Sequence, residues 1–146
     1  MKERTAALED NLRQAYAYLE GTRQAPKVGT IGWCFGGGWS LSTALLLPDK
    51  IDATVIYYGR LESDPGKLKP LSMPILGLFG ELDKGIPVDS VRAFEAALTA
   101  AGKSAEIHVY PGADHAFANA SGGRYKADAA EDAWAKTVAF FGKHLR

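Results

Sequence analysis

"GTIGWCFGGGWS", Gly29 to Ser40, holds the only cysteine of the chain and about a third of its 16 glycines. A short apolar run leads into Cys34, and a glycine cluster leads out of it into "WSLSTALLL". That order reads as strand, tight turn, helix. Gly32-Trp33-Cys34-Phe35-Gly36 is G-x-C-x-G, the pattern that places a nucleophile on a strained turn between strand and helix, with cysteine where serine is more common. A β-carbon at either flanking glycine is expected to collide with the neighbouring strand or helix. The turn sets the sulfur at a helix N-terminus, where the dipole and free amides favour a thiolate and later an oxyanion. Taken alone, the pattern fits a buried cysteine acting as a small hydrophobe equally well. The rest of the chain has to decide.

Working outward, Thr5 to Glu20 has helical spacing, with Leu8, Leu12, Ala15, Tyr16 and Leu19 recurring and Gly21 as a stop. "KVGTIGW" reads as a strand covered on both faces, and the helix after the glycines must end by Pro48. "IDATVIYYG" is a second strand, "RLESDPGKLKPLSM" a polar crossover, and "PILGLFGELD" a third strand. "IPVDSVRAFEAALTAAGK" is a helix with Pro87 in its first turn and Gly102 at its end. "SAEIHVYPG" is a fourth strand. The last helix is expected to open on an Asp128–Glu131 capping box and to bury Trp134, Val138, Phe141 and Leu145. Strands alternating with helices predict an α/β fold, about four parallel strands flanked by helices, in one domain over residues 1–146.

Bulk properties narrow the function. The chain has 146 residues, 47% hydrophobic and 23% charged, with formal net charge zero. No basic excess points to nucleic acid. No apolar stretch is long enough to span a membrane, and the charged start does not read as a secretion signal. A lone cysteine fits a reducing compartment, so a cytoplasmic location is expected. No cluster has metal-ligand spacing, and no cofactor is expected.

In open parallel sheets the site forms beyond the carboxyl ends of the strands. After the third strand, "GELDKGIP" places Asp83 in a loop, and after the fourth, "YPGADHAF" places His115 in another. Cys34, Asp83 and His115 thus appear in the order nucleophile, acid, base, as in α/β-hydrolases. The histidine would take the thiol proton and later activate water; the aspartate would fix its tautomer and stabilise the imidazolium.

"GWCFGG", "LFGELDKGIPV", "VYPGADHAF" and "RYKADAAEDAWAKTVAFF" resemble the dienelactone hydrolase family, cysteine α/β-hydrolases that open lactones and cleave small esters. The resemblance runs from about Lys27 to the C-terminus. It implies Cys34 as nucleophile, Asp83 as orienting acid, His115 as base, and the Phe35 amide as an oxyanion donor. The sequence departs from the family in two places. Family members carry a longer N-terminal half, which usually supplies a second oxyanion amide, a thiol-activating glutamate and a substrate-binding arginine. They also carry an arginine soon after the histidine, where this chain has Asn119. The family reading is therefore an α/β-hydrolase, minimal, N-terminally truncated or part of an assembly, acting on small esters or lactones through an acyl-cysteine.

Trp33, Tyr58 and Phe117 are candidate substrate contacts. Glu81 and Asp114, next to two of the three candidates, could stand in for the missing glutamate. The alternative to an enzyme is a hydrolase-like remnant that serves as a binding or scaffold module. Without strands alongside it, Val28 to Trp33 would be a sheet edge, and a homodimer through that edge is expected.

Overall fold

The computed structural model describes residues 2–146. Strands β1 (Gly29–Trp33), β2 (Ala53–Tyr57), β3 (Ile75–Gly80) and β4 (Ala105–Tyr110) form one parallel sheet in the order β1-β2-β3-β4. Gly29 stands opposite Ala53, Thr54 opposite Ile75, and Ile75 opposite Ala105. Five helices flank the sheet: α1 (Lys2–Ala17), which runs on into a π-helical turn at Tyr18–Thr22, α2 (Phe35–Leu46), α3 (Pro65–Leu68), α4 (Val88–Ala100) and α5 (Ala127–His144). Every residue of β2 and β3 is buried, as their unbroken apolar sequences require.

The sheet separates two cores. On one face Ile56, Ile75 and Phe79 pack with Leu41, Leu68, Val91, Phe94 and Leu98. On the other, Val55, Tyr57, Leu76 and Leu78 pack with Phe117, Ala129, Ala133 and Phe140. Each fully buried Leu or Phe contributes roughly 1.5–3 kcal/mol relative to exposure. The end of α5 is anchored beside β1: a β-carbon at Gly29 would lie 2.8 Å from the Phe141 ring, and Lys27 Nζ donates to the carbonyls of His144 (3.1 Å) and Arg146 (2.8 Å).

Several expectations change. The stripe on the first helix is barely used: Leu8 and Leu19 are 39% and 38% exposed, while Tyr16 packs against the core. The polar crossover contains α3, started by Asp64 Oδ1 accepting from the Gly66 amide (2.8 Å), with Pro65 in the first turn. Its Leu68, and Leu71 just beyond, are fully buried. The Asp128–Glu131 capping box does not form. The cap position of α5 is Lys126, with no side-chain cap, and Asp128 instead accepts from Lys126 Nζ (2.9 Å) and the Ala129 amide (2.8 Å). The buried side of α5 is also rotated from the expected one. Ala129, Ala133, Thr137 and Phe140 face the sheet, since small residues let the helix approach closely and Thr137 meets the Tyr57 hydroxyl at 2.8 Å. Trp134 and Val138 are left 54% and 55% exposed. Among the described residues, no helix is long and apolar enough to cross a membrane.

Candidate active site

Cys34 sits between β1 and α2 with φ 55° and ψ −117°, a backbone conformation that costs a side-chain-bearing residue on the order of 1–3 kcal/mol. It is held there by its own amide donating to Tyr57 O (3.0 Å) and by its carbonyl accepting from the Gly38 amide (3.2 Å). The two glycines of the motif are not equivalent. A β-carbon on Gly32 would lie 2.0 Å from Gly36 O, so the strand and the helix start touch backbone to backbone. A β-carbon on Gly36 would meet nothing within 4 Å. The expected collision therefore applies to Gly32 and not to Gly36.

Asp83 follows β3 and is only 2% exposed. Its Oδ1 accepts from the amides of Gly85 (2.8 Å) and Ile86 (2.9 Å), which leaves Oδ2 aimed at His115 Nδ1, 2.7 Å away. A carboxylate can only accept, so Nδ1 carries the proton and Nε2 faces Cys34 Sγ at 3.0 Å. The His115 ring is steadied by Tyr58, which lies edge-on with centroids 5.2 Å apart. Tyr58 itself adopts φ 35° just past β2. Burial raises its hydroxyl to about 12, so it stays protonated.

The charges of the pair support each other. The hydrogen bond from His115 lowers the Cys34 pKa; burial opposes this, and the Phe35 amide adds to the lowering. Burial pushes His115 down, but hydrogen bonds to Cys34 and Asp83, with their charges, outweigh it and raise the imidazole above its ordinary value. The arrangement favours thiolate and imidazolium together.

Cys34 opens into a recess of about 310 Å³ lined by Trp33, Tyr58, Ala116, Ala118 and Asn119. A second hollow of similar volume shares Trp33 and Ala118 with it and continues past Tyr125, Glu131 and Trp134. The Phe35 side chain is 72% exposed, while its amide lies beside the sulfur. Phe117 does not line either space. It is wholly buried against Tyr57, Tyr58 and Tyr110, so its expected substrate contact becomes a packing role. Sequence reasoning missed Tyr125 and assigned Trp134 to the core; the aromatic spacing of α5 does not say which of its two apolar stripes meets the sheet. Among the described residues, no group of three His, Cys, Asp or Glu side chains could hold a metal ion.

The family model for the dienelactone hydrolase family matches residues 1–145. The chain belongs to the dienelactone hydrolase family. A protein of Methylorubrum extorquens named as a carboxymethylenebutenolidase is 35% identical over 147 residues, which cover 93% of this chain and 50% of that protein. A relative in Saccharolobus solfataricus with the same assignment is 36% identical, over 87% of this chain and 48% of its own length. Among solved structures, a dienelactone hydrolase from Klebsiella pneumoniae superposes with TM-score 0.71 at 35% identity, covering 77% of this chain and 50% of that one. One from Anabaena variabilis gives 0.74 at 26% identity, over 95% and 60%. The chain spans about half the length of the curated relatives it matches.

Compared with the family pattern, neither neighbouring acid reaches the sulfur. Glu81 accepts from the Gly112 amide (2.9 Å), and Asp114 accepts from the His115 amide (2.6 Å), so both brace the loops. The expectation that one of them replaces the thiol-activating glutamate is corrected accordingly. Asn119 does line the recess beside Cys34, where an uncharged amide replaces the family's arginine.

Proposed function

We propose that this chain hydrolyses small carboxylic esters or lactones through an acyl-cysteine, with Cys34 as nucleophile, His115 as base and Asp83 as the orienting acid. The observation that carries this reading is the continuous chain Sγ–Nε2 at 3.0 Å and Nδ1–Oδ2 at 2.7 Å, opening into a recess. His115 holds the thiol proton while Sγ attacks the carbonyl carbon. The oxyanion forms against the Phe35 amide at the helix start. The intermediate collapses, the C–O bond to the leaving group breaks, and Nε2 returns the proton to the departing oxygen. Water then gives a proton to His115 and attacks the thioester, releasing the carboxylic acid and restoring the thiolate. No residue lining the recess carries a positive charge, which favours neutral esters over an anionic lactone.

The test is p-nitrophenyl acetate hydrolysis by the wild type and by Cys34→Ala. The variant is expected to fall to background, a loss of at least about 10³-fold. Equal rates would refute the assignment and favour a binding module.

The same reading includes a homodimer in the cytoplasm. The Cys34 amide bonds to β2, so by strand alternation Gly29, Ile31 and Trp33 turn their backbone groups away from the sheet, with Ile31 36% exposed. A second copy of the chain, docked at this edge, would pair those groups.

A further inference from the structure

The hollow beside the nucleophile has a consistent chemical character. Its exposed aromatic walls are Trp33 (42% exposed), Tyr125 (41%) and Trp134 (54%). Trp33 is backed by Tyr57, with ring centroids 5.2 Å apart and planes tilted by 31°, which fixes the indole as a wall. Among the described residues Glu131 is the only charged side chain lining the hollow; the rest of the lining is Tyr57 and three alanines, Ala118, Ala120 and Ala130. The basic residues nearest in sequence are turned to other partners: Lys136 pairs with Asp132, Lys126 donates to Asp128 at 2.9 Å, and Arg124 lies 4.0 Å from Asp114. Aromatic faces grouped around a space with a carboxylate and no cation are the chemistry that holds an ammonium group. An anion would meet only repulsion there, and a purely apolar group would make no use of the carboxylate. Trp33 and Ala118 join this space to the recess of Cys34, so one ester molecule can occupy both.

We propose that the Trp33–Tyr125–Trp134–Glu131 hollow is a specificity site for a cationic, ammonium-bearing arm of the ester substrate. The proposal rests on the hydrolase reading above for its connection to turnover, and on the hollow alone for binding. The ester carbonyl would lie over Sγ while the cationic arm lies between the indoles. Trp134 sets the preference through its ring face and Glu131 through its charge.

The experiment uses an isosteric pair. Hydrolysis of acetylcholine and of 3,3-dimethylbutyl acetate, its neutral carbon analogue, is followed by pH-stat. The kcat/KM ratio is insensitive to the fraction of protein folded. The wild type is expected to prefer the cation by about tenfold. Trp134→Ala should bring the ratio close to one, and Glu131→Gln should lower it about two- to threefold. A wild-type ratio of one or less overturns the proposal and leaves a purely apolar hollow. Tryptophan fluorescence of Cys34→Ala, titrated with tetramethylammonium, separates the two readings. Saturable quenching that is lost on adding Trp134→Ala supports the site even where neither ester is turned over, in which case only the hydrolase reading falls. Turnover of p-nitrophenyl acetate with neither quenching nor cation preference does the reverse.

Discussion

Replacing Gly32 by alanine tests whether the elbow depends on backbone contact. The added β-carbon would lie 2.0 Å from Gly36 O, 2.2 Å from Gly36 C and 2.8 Å from Gly37 N, all main-chain atoms. No rotamer change relieves this. Relief needs the first turn of α2 to move more than about 1 Å off β1, since carbon contacts are comfortable only near 3.5–4 Å. That turn is not free to move, because a β-carbon on Gly37 would already sit 2.5 Å from Tyr57 O, showing how tightly the next strand is approached. Overpacking costs roughly 1–3 kcal/mol where side chains can adjust, so a main-chain clash should reach about 3 kcal/mol or more. For a chain of this size that corresponds to a fall in Tm of roughly 6–12 °C. Gly36→Ala is the matched control: with nothing within 4 Å and a helical position, it should gain up to about 1 kcal/mol from helix propensity. Urea unfolding followed by far-UV circular dichroism compares the three proteins. A Gly32→Ala midpoint equal to wild type, or a Gly36→Ala loss of the same size, would refute the reasoning.

The thiol and the edge give two more predictions. Cys34 has a lowered pKa, so its thiolate persists below the ordinary thiol range and is lost only as pH falls through that lowered value. The pH profile of iodoacetamide labelling should therefore inflect below about 8.5, and His115→Ala should raise the inflection and slow labelling at pH 7; a wild-type inflection at the ordinary value counts against the pairing. Sedimentation at micromolar concentration should show a dimer that Ile31→Lys disperses, whereas a monomeric wild type rules out the edge pairing.

The sheet was legible because β2 and β3 are unbroken apolar runs, a pattern that survives without knowledge of partners. The candidate site was legible because its residues are punctuation: a cysteine between glycines, an acid and a histidine each just past a strand. What the sequence hid depends on which neighbour a surface meets. The periodicity of α5 carries both Ala133–Phe140 and Trp134–Val138, and only the close approach allowed by alanine selects the first. Likewise α3 is a single turn with prolines and lysines around it, so Leu68 and Leu71 look like loop residues until Phe94 and Leu98 are placed above them. Phe117 lies two positions from His115, but its ring turns inward to the tyrosines.

Strand order equals chain order in this sheet, so each strand pairs with the one synthesised just before it. Such a sheet can be laid down from one edge as the chain leaves the ribosome, every closure being local. The last helix breaks that locality: Phe141 and Leu145 return to Gly29, and Lys27 clasps the carbonyls of His144 and Arg146. The cysteine is thus made before the histidine it faces. Between the two, Cys34 has no imidazole beside it, and the 3.0 Å contact with His115 forms only after β4 has paired and the loop that follows it has closed.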